Sequence, residues 1–259
     1  MIRVLFMGRK PVAAKSLEYL VSLKGVQVVG VLTDSHLSVS PTTDVARQFG
    51  LPLYEFTEAL AAMKSGDLLF DLGVSVLYWR KLRDEFLSLP TRGIINLHPA
   101  PLPDYKGTAG YNIAILDELK QWAVTAHYVD ENIDTGRIIE VSYFDISPTE
   151  ETAQSLERKT QPFLLSLFTK TINRALSTES HLPTSPNTGG RYISRDEMES
   201  MKKVLPDDDV SRKIRAFWFP PYDGAYILVN NVKCTLVDNF ILQQLADPKN
   251  SNLFSKKAK

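Results

Sequence analysis

Short apolar runs alternate with helical spacings in the first half of the chain. The apolar runs cover residues 2–7, 26–32, 70–76 and 93–97, with a further candidate strand near residue 52. Leucines recur at helical intervals between the first two runs. Strands that are apolar on both faces and alternate with helices are typical of a parallel sheet covered by helices on both faces. The pattern therefore predicts a Rossmann-like α/β fold with a mostly parallel sheet.

The pattern changes after residue 120. Two β-rich runs, residues 122–130 and 136–146, are separated by only a short polar segment. Because no crossover helix fits into so short a connection, we expect an antiparallel hairpin at one side of the sheet. A long helix is predicted over residues 150–177, after the turn-like sequence SPTEE.

Composition suggests a division of the chain into domains. Residues 1–180 form the predicted α/β domain, and residues 181–190, HLPTSPNTGG, have the composition of a linker. Residues 191–245 predict a small C-terminal module that contains β-structure. Residues 246–259 are polar and rich in lysine, a composition that predicts a flexible tail.

Charge and cysteine content narrow the function classes. Thirty basic residues balance thirty acidic ones, whereas a protein that grips a nucleic-acid backbone usually has a basic excess, so we expect no nucleic-acid partner. The lone cysteine, Cys234, excludes an intrachain disulfide. The sequence shows neither a signal peptide nor an apolar stretch of membrane-spanning length. We therefore expect a cytoplasmic protein without membrane contact.

Common catalytic motifs are missing from the sequence. It contains no phosphate-binding GxxxxGK[ST], no dinucleotide-binding GxGxxG and no GxSxG nucleophile elbow. The histidines, which could ligate a metal, are dispersed: His36, His98, His127 and His181. The sequence therefore predicts no metal cofactor.

The stretch INLHPAPLPDYKG begins as a strand and continues into a proline-rich loop. Asn96 and His98 are two apart, so on a strand both point to one face, at the sheet edge where ligands bind in α/β proteins. An amide donor and an imidazole there could stabilise an oxyanion and take a proton during acyl transfer. Asp134, in the predicted hairpin turn, is the candidate carboxylate that supports the imidazole. Structural roles at a strand end, and an ordinary turn at Asp134, remain the alternatives.

These motifs resemble the folate-dependent formyltransferase family. The matching segments are NLHP from Asn96, LPDYKG from Leu102 and DTG from Asp134, and the resemblance covers about residues 1–175. It implies that residues 1–180 are a catalytic domain that transfers a formyl group from N10-formyltetrahydrofolate to an amine. It also implies catalytic roles for Asn96, His98 and Asp134.

Two features favour an amino sugar over a tRNA as the acceptor. The net charge is zero, and the segment after the predicted linker is shorter and less basic than the tRNA-binding domain of methionyl-tRNA formyltransferase. The sequences KGTAGYNIAIL and FPPYDGAY resemble nucleotide-sugar N-formyltransferases. Within this group KGTAGYNIAIL is most similar to enzymes that act on GDP-perosamine, for O-antigen or lipopolysaccharide synthesis, and an enzyme that acts on a dTDP-sugar is the alternative. Methionyl-tRNA formyltransferase activity, or a non-catalytic module that binds folate or a nucleotide sugar, are the alternatives.

The resemblance also implies a folate site. The backbone of Leu77, Tyr78 and Trp79 would bind the pterin, opposite Ile133 and Asp134. An alternative role for Tyr78 and Trp79 is to cap a helix or the core.

The predicted substrate contacts begin at the first strand. Gly8, Arg9 and Lys10 follow this strand and precede a helix, where free amides and positive charge suit a diphosphate, although a solvated charge pair is the alternative. The loop and helix after the catalytic strand add Lys106, Gly107, Thr108, Tyr111 and Asn112.

The C-terminal module supplies the remaining predicted substrate contacts, Arg215, Trp218 and Tyr222. The rings of Trp218 and Tyr222 could stack on a base, or they could form the apolar seam of a homodimer.

Overall fold

The computed structural model describes residues 1–34, 37, 40–83 and 85–246. His36 and the predicted tail beyond residue 246 lie outside the described residues. The chain divides into two compact units. Unit 1 comprises Met1–Gly107, Trp122–Phe144 and Lys159–Tyr192, and unit 2 comprises Thr108–Gln121, Asp145–Arg158 and the chain from Ile193 onward. The domain boundaries expected from composition stay a prediction.

Strands and helices alternate along most of the described chain. The strands are β1 (Ile2–Gly8), β2 (Val26–Leu32), β3 (Leu72–Val76), β4 (Ile94–His98), β5 (Tyr105–Gly107), β6 (Gln121–Tyr128), β7 (Ile138–Asp145), β8 (Arg191–Ile193), β9 (Tyr226–Val229) and β10 (Val232–Thr235). The helices are α1 (Lys10–Ser22), α2 (Pro41–Gln48), α3 (Phe56–Ser65), α4 (Glu85–Ser88), α5 (Gly110–Leu116), α6 (Ala153–Leu176), α7 (Arg195–Ser200), α8 (Val210–Phe217) and α9 (Asn239–Ala246).

Unit 1 is built on a six-stranded sheet in the order β2-β1-β3-β4-β6-β7. The first four strands in this order are parallel, and β6 runs antiparallel to β4. The predicted mostly parallel sheet with an antiparallel hairpin, here β6 and β7, is confirmed. Strands β2 and β3 lie on opposite sides of β1, so the connection from β1 to β2 and the connection from β2 to β3 run in opposite directions across the sheet. Because both crossovers are right-handed, α1 and α2–α3 lie on opposite faces.

The core of unit 1 explains why these segments form strands. Every residue of β3 is buried, as expected for a strand covered on both faces. Gly73 in this strand leaves room for Ile94 on β4, because a Cβ at Gly73 would lie 2.7 Å from the Ile94 side chain. In α1, Leu17 and Leu20 are fully buried at helical spacing. The apolar runs in the sequence therefore mark the strands that support the sheet edge.

One predicted strand is wrong. Near residue 52 the described chain forms only an isolated bridge between Val31 and Leu53. The helix α3 begins just beyond it, where the side chain of Glu58 accepts a hydrogen bond from the backbone amide of Glu55 at 3.0 Å. Glu55 and Glu58 form a capping box, which marks the start of a helix. This local preference for a helix outweighs the β-propensity of the short apolar run.

Unit 2 combines helices with one hairpin. Strands β9 and β10 pair antiparallel, which matches the expected β-structure of the C-terminal segment. The helices α7 and α8 precede this hairpin in the chain, and α9 follows it. The fully or almost fully buried residues Ala216, Phe217 and Ile241 form the core of this unit together with Ile115 of α5.

Candidate active site

The pairing of β4 with β6 places two polar side chains side by side. Asn96 pairs with His127, and His98 pairs with Thr125. The side-chain amide nitrogen of Asn96 lies 3.0 Å from Nε2 of His127. Nδ1 of His127 lies 2.7 Å from the backbone carbonyl of Tyr128, so Nδ1 carries the proton and Nε2 accepts from Asn96. This arrangement fixes the orientation of the Asn96 amide, with one N–H still available to a ligand.

His98 is held at the carboxyl end of β4 by the loop that follows it. Its Nε2 lies 2.8 Å from the carbonyl oxygen of Tyr105, to which it donates. The lone pair of the neutral ring is therefore on Nδ1, which lies 3.5 Å from Oδ1 of Asp134. An imidazole in this setting can accept a proton at Nδ1 and is then stabilised by the carboxylate.

Asp134 connects the hairpin loop to the end of β5. Its Oδ2 accepts a hydrogen bond from the amide of Gly107 at 2.9 Å, and its Oδ1 lies 3.6 Å from Nε2 of His127. The backbone of Asp134 is in the left-handed region, with φ of 55°. Such a conformation in a non-glycine residue is held by its surroundings and occurs often at functional sites.

The pKa values of the two central groups suit a base and its charged support. Burial lowers the pKa of His98 below its ordinary value, although Asp134 and the Tyr105 carbonyl oppose the shift. Burial alone would raise the pKa of Asp134, but His98, His127 and the Gly107 amide together lower it to about 2. At neutral pH the site therefore holds a neutral imidazole beside an ionised carboxylate.

The proline-rich loop after β4 is fixed by side chains of β6. The indole nitrogen of Trp122 donates to the carbonyl of Pro99 at 3.0 Å. The hydroxyl of Thr125 donates to the carbonyl of Ala100 at 2.7 Å and accepts from the amide of Leu102 at 3.1 Å. These contacts fix the path of the loop from His98 to Tyr105, whose carbonyl orients the His98 ring.

Two groups of predicted ligand residues meet at the point where the strand order reverses. In the order β2-β1-β3, the chain leaves β1 at Gly8 and β3 at Val76, and ligands of α/β sheets bind at such a crevice. The amide of Arg9 donates to the carbonyl of Val76 at 3.2 Å, and its Nε donates to the carbonyl of Leu77 at 3.1 Å. Lys10 and Leu77 both have left-handed backbones, with φ of 70° and 55°. The predicted diphosphate and folate segments are thus neighbours.

The aromatic pair after β3 has one half-buried member, Tyr78, and one exposed member, Trp79. Burial raises the pKa of the Tyr78 hydroxyl to about 12. Trp79 is 46% exposed, and the guanidinium of Arg80 lies 4.5 Å from its ring centre. Ile133, beside Asp134, is 42% exposed. Exposed apolar side chains at a sheet edge offer contact area to a flat ligand.

Lys106 and Gly107 lie on β5 in unit 1. Lys106 is 8% exposed, and its ammonium group donates to the carbonyl of Gly189 at 2.6 Å. Gly107 contacts Asp134 through its amide. Both residues therefore have structural contacts at the site beside any role in binding a substrate.

Six predicted substrate residues belong to unit 2: Thr108, Tyr111, Asn112, Arg215, Trp218 and Tyr222. The amide nitrogen of Asn112 donates to the carbonyl of Ala216 at 2.6 Å. Tyr111 and Trp218 pack on the core of this unit, and Tyr222 is 61% exposed. The guanidinium of Arg215 contacts the hydroxyl of Ser211 at 3.1 Å. Their roles toward a substrate stay predictions.

His127 is the site residue that sequence reasoning missed. It lies in an alternating strand, where a buried histidine is no different in pattern from a core residue. The signal that could have found it is register: an antiparallel strand next to β4 must place some residue opposite Asn96. Among the described residues, no cluster of three or more His, Cys, Asp or Glu is arranged to hold a metal ion. Nor does any helix in the described part of the chain combine the length and apolarity needed to cross a membrane.

Comparison with protein families shows which family the chain belongs to. The model of the formyl transferase family matches residues 38–172, more than half of the chain, and this segment contains Asn96, His98, His127 and Asp134. The chain belongs to the formyl transferase family. The family membership predicted from the sequence motifs is therefore confirmed.

Curated relatives of this formyl transferase carry the name methionyl-tRNA formyltransferase. The protein from Clostridium tetani is 33% identical over 261 residues, which cover 95% of this chain and 83% of the relative. The protein from Symbiobacterium thermophilum is 30% identical over 243 residues, with 87% of this chain and 72% of the relative covered.

Solved structures similar to this formyl transferase include sugar N-formyltransferases. The N-formyltransferase from Helicobacter canadensis, in complex with folinic acid and dTDP-3-aminofucose, has a TM-score of 0.72 at 24% identity, with 90% of this chain and 86% of that chain covered. A 4-N formyltransferase from Francisella tularensis has a TM-score of 0.75 at 20% identity, with coverage of 92% and 97%. At these identities the likeness establishes the shared fold.

Proposed function

We propose that this formyl transferase moves a formyl group from N10-formyltetrahydrofolate to the amino group of a nucleotide-linked amino-deoxysugar in the cytoplasm. The observation that carries the proposal is the cluster of Asn96, His98 and Asp134 at one end of β4. It combines an oriented amide donor, a neutral imidazole and an ionised carboxylate. These are the groups that acyl transfer to an amine requires.

The side chains divide the chemistry among them. Formyltetrahydrofolate supplies the formyl carbon, which the neutral amine of the acceptor attacks. Asn96 donates its free N–H to the formyl oxygen as negative charge develops there. His98 accepts the amine proton at Nδ1 and returns it to the folate nitrogen as the bond between that nitrogen and the formyl carbon breaks. Asp134 stabilises His98 while its ring is charged.

The residues at the carboxyl ends of β1 and β3 fit a folate co-substrate. Leu77 has a left-handed backbone directly after the strand, a conformation that in non-glycine residues occurs often at functional sites. The exposed ring of Trp79 and the exposed side chain of Ile133 suit the apolar faces of a pterin. Folinic acid bound to the Helicobacter canadensis enzyme supports the same co-substrate class for this chain.

The charge of the chain and its loop sequence support a sugar as the acceptor. Thirty basic residues balance thirty acidic ones, so the electrostatic attraction that dominates tRNA binding is weak. The dTDP-3-aminofucose complex of the Helicobacter canadensis enzyme supports a nucleotide sugar. GDP-perosamine, with a role in O-antigen or lipopolysaccharide synthesis, is the most specific acceptor that we propose, and a homodimer is the proposed assembly.

Methionyl-tRNA formyltransferase is the second candidate function. The observation that favours it is the name shared by curated relatives, of which the Clostridium tetani protein covers 95% of this chain. The same triad would serve an amine on tRNA equally well, because the chemistry at the formyl carbon is the same. The two candidates differ in the acceptor and not in the catalytic residues.

A panel assay tests the proposed acceptor class. Purified protein is incubated with N10-formyltetrahydrofolate and GDP-, dTDP- or UDP-linked amino sugars, and products are detected by mass spectrometry. We expect at least one sugar to gain a formyl group with turnover that depends on enzyme concentration. A panel without turnover, together with formylation of methionyl-tRNA in a parallel reaction, would replace the sugar proposal by the second candidate.

If Lys10 contacts the diphosphate, its replacement should weaken binding of the nucleotide sugar and not of the folate. Lys10→Ala should raise KM for the nucleotide sugar and lower kcat/KM by about tenfold or more, since a charge-assisted hydrogen bond contributes roughly 1.5–3 kcal/mol. KM for the folate should stay nearly unchanged. Lys15→Ala is the matched control, because this lysine is exposed on the same helix. Equal KM values in the two variants would exclude the contact.

Lys106→Ala should lower the stability of the fold, because the Lys106 ammonium donates a hydrogen bond to the Gly189 carbonyl.

Replacing His127 should lower turnover, because His127 orients the side-chain amide of Asn96. His127→Phe leaves the Asn96 amide without its acceptor, so we expect kcat to fall by about tenfold or more while both KM values change little. His127→Gln retains a side-chain oxygen that can accept from Asn96, and should retain more activity than His127→Phe. Steady-state kinetics on both variants measure this order, and the reverse order would contradict the positioning role.

A further inference from the structure

The segment 187–191, which we call the strap, lies at the end of the stretch that composition predicts as a linker. The structure shows the preceding residues already attached to the sheet of unit 1. Ser185 and Ile138 exchange backbone hydrogen bonds of 2.8 and 3.0 Å. The chain therefore arrives at the strap in a defined position beside β7.

Asn187 connects the strap to the loop that contains Asp134. Its side-chain amide nitrogen donates to the backbone carbonyl of Asp134 at 3.0 Å and to that of Gly136 at 2.8 Å. Asn187 is 9% exposed, so these two hydrogen bonds are shielded from water. One amide group thus holds the residues on both sides of Thr135.

The rest of the strap is attached to the loop that follows β4. The carbonyl of Gly189 accepts from the ammonium of Lys106 at 2.6 Å, and the amide of Arg191 donates to the carbonyl of Asp104 at 3.0 Å. Gly190 has φ of 74°, and a Cβ there would lie 1.7 Å from the carbonyl oxygen of Pro103. Only a glycine permits this close approach.

We infer that Asn187 is a positioning residue, which holds the Asp134 loop so that its carboxylate faces His98. The inference rests on the proposed function, since it assigns the strap to the same site. Asp134 has a left-handed backbone with φ of 55°, a conformation that is uncommon outside glycine, and contacts with its surroundings help to hold it. One hydrogen bond from Asn187 is to the carbonyl of Asp134 itself and the other is to the carbonyl of Gly136, so together they hold the backbone that directly follows the Asp134 side chain.

The state of the His98 ring reports the position of Asp134. Among the described residues, the titratable groups that face His98 are Asp134 on the hairpin loop and His127 on β6, and the ring also contacts the carbonyl of Tyr105. Asp134 raises the pKa of His98 against the effect of burial. If the loop moves away, the pKa of His98 should fall further.

The experiment compares Asn187→Ala with wild type and with Thr184→Ala. Thr184 lies in the same stretch, but its hydroxyl accepts from the guanidinium of Arg137 and not from the site. Two quantities are measured: kcat with the best sugar of the panel, and the titration of the His98 ring by ¹⁵N NMR without substrate. We expect Asn187→Ala to lower kcat by roughly ten- to a hundredfold and to shift the His98 titration to lower pH. Thr184→Ala should change neither.

A purely structural role of Asn187 predicts a different result. It would reduce the folded fraction, measured by circular dichroism, without moving the His98 titration of the molecules that remain folded. An unshifted titration together with wild-type kcat per folded molecule would overturn the inference. Asn187→Ser, which retains one donor, gives the same comparison if Asn187→Ala does not fold. Failure of the proposed function is distinct: wild type would then formylate no sugar, while the NMR titration would still respond to the strap.

Discussion

Replacing His98 with Asn should lower turnover by about a hundredfold or more while the protein stays folded, because a general base contributes about 10²–10⁴ to the rate. Asn96→Ala removes the donor to the developing oxyanion and should cost about 10²–10³ in kcat. Asp134→Asn removes the charge that stabilises protonated His98 and should also lower kcat by about a hundredfold. The measurements are kcat and KM for both substrates.

The control for these variants is His181→Asn. His181 is an exposed histidine of unit 1 whose ring lies 5.1 Å from that of Tyr128. It should retain wild-type turnover. Thermal unfolding of each variant separates catalytic loss from loss of the fold. Near-normal turnover in all three cluster variants would contradict the site assignment, and unfolding of all three would favour a structural role.

The same assignment fixes the direction of a pH effect. A general base works when it is unprotonated, so kcat should rise with pH through the pKa of His98 in the bound enzyme. Because burial lowers the pKa of His98, the rise in kcat should occur at a pH below the ordinary pKa range of histidine. Asp134→Asn should move it to still lower pH, since the carboxylate raises the pKa of His98.

Gly136→Ala should disrupt the same loop without touching a catalytic side chain. A Cβ on Gly136 would lie 1.8 Å from the carbonyl oxygen of Tyr128, far inside van der Waals contact with a backbone atom. Because that carbonyl is in the sheet hairpin and cannot turn away freely, the loop must shift and take Asp134 with it. We expect a loss of about a hundredfold in kcat and a lower melting temperature.

A second glycine substitution tests whether the close approach causes the effect. In Gly224→Ala the new Cβ would lie 3.4 Å from the nearest atom, a methyl carbon of Thr235, which is ordinary contact distance. This variant should be active and stable. If Gly136→Ala has the activity of Gly224→Ala, the loop does not depend on the close approach at Tyr128.

The parts of the fold that sequence predicted well share a strong hydrophobic pattern. The strands at Leu72 and Ile94 are almost wholly apolar, and α6 combines a turn at its start with a long amphipathic run. The segment near residue 52 failed because its apolar run is short and the start signal of α3 lies within it. Helix α9 was not predicted, because it is only eight residues long and closely follows the hairpin sequence.

The candidate site was predictable where spacing or motif placed residues together, and not where tertiary pairing did. Asn96 and His98 share one strand, so their proximity follows from a period of two. His127 reaches them only through the register of β6. Asn187 comes from a stretch whose composition predicts a linker, yet its amide is buried against the Asp134 loop. Contacts between segments so far apart in sequence leave no local pattern.

The most direct test of the central claim is a competition for a single pool of labelled formyl donor. Wild-type protein receives N10-formyltetrahydrofolate with a radiolabelled formyl group, the panel of nucleotide-linked amino sugars and methionyl-tRNA together, at physiological salt. We predict that the label is transferred to a sugar, that methionyl-tRNA stays unlabelled, and that His98→Asn slows the transfer by about a hundredfold or more. Label on methionyl-tRNA and none on any sugar would contradict the account.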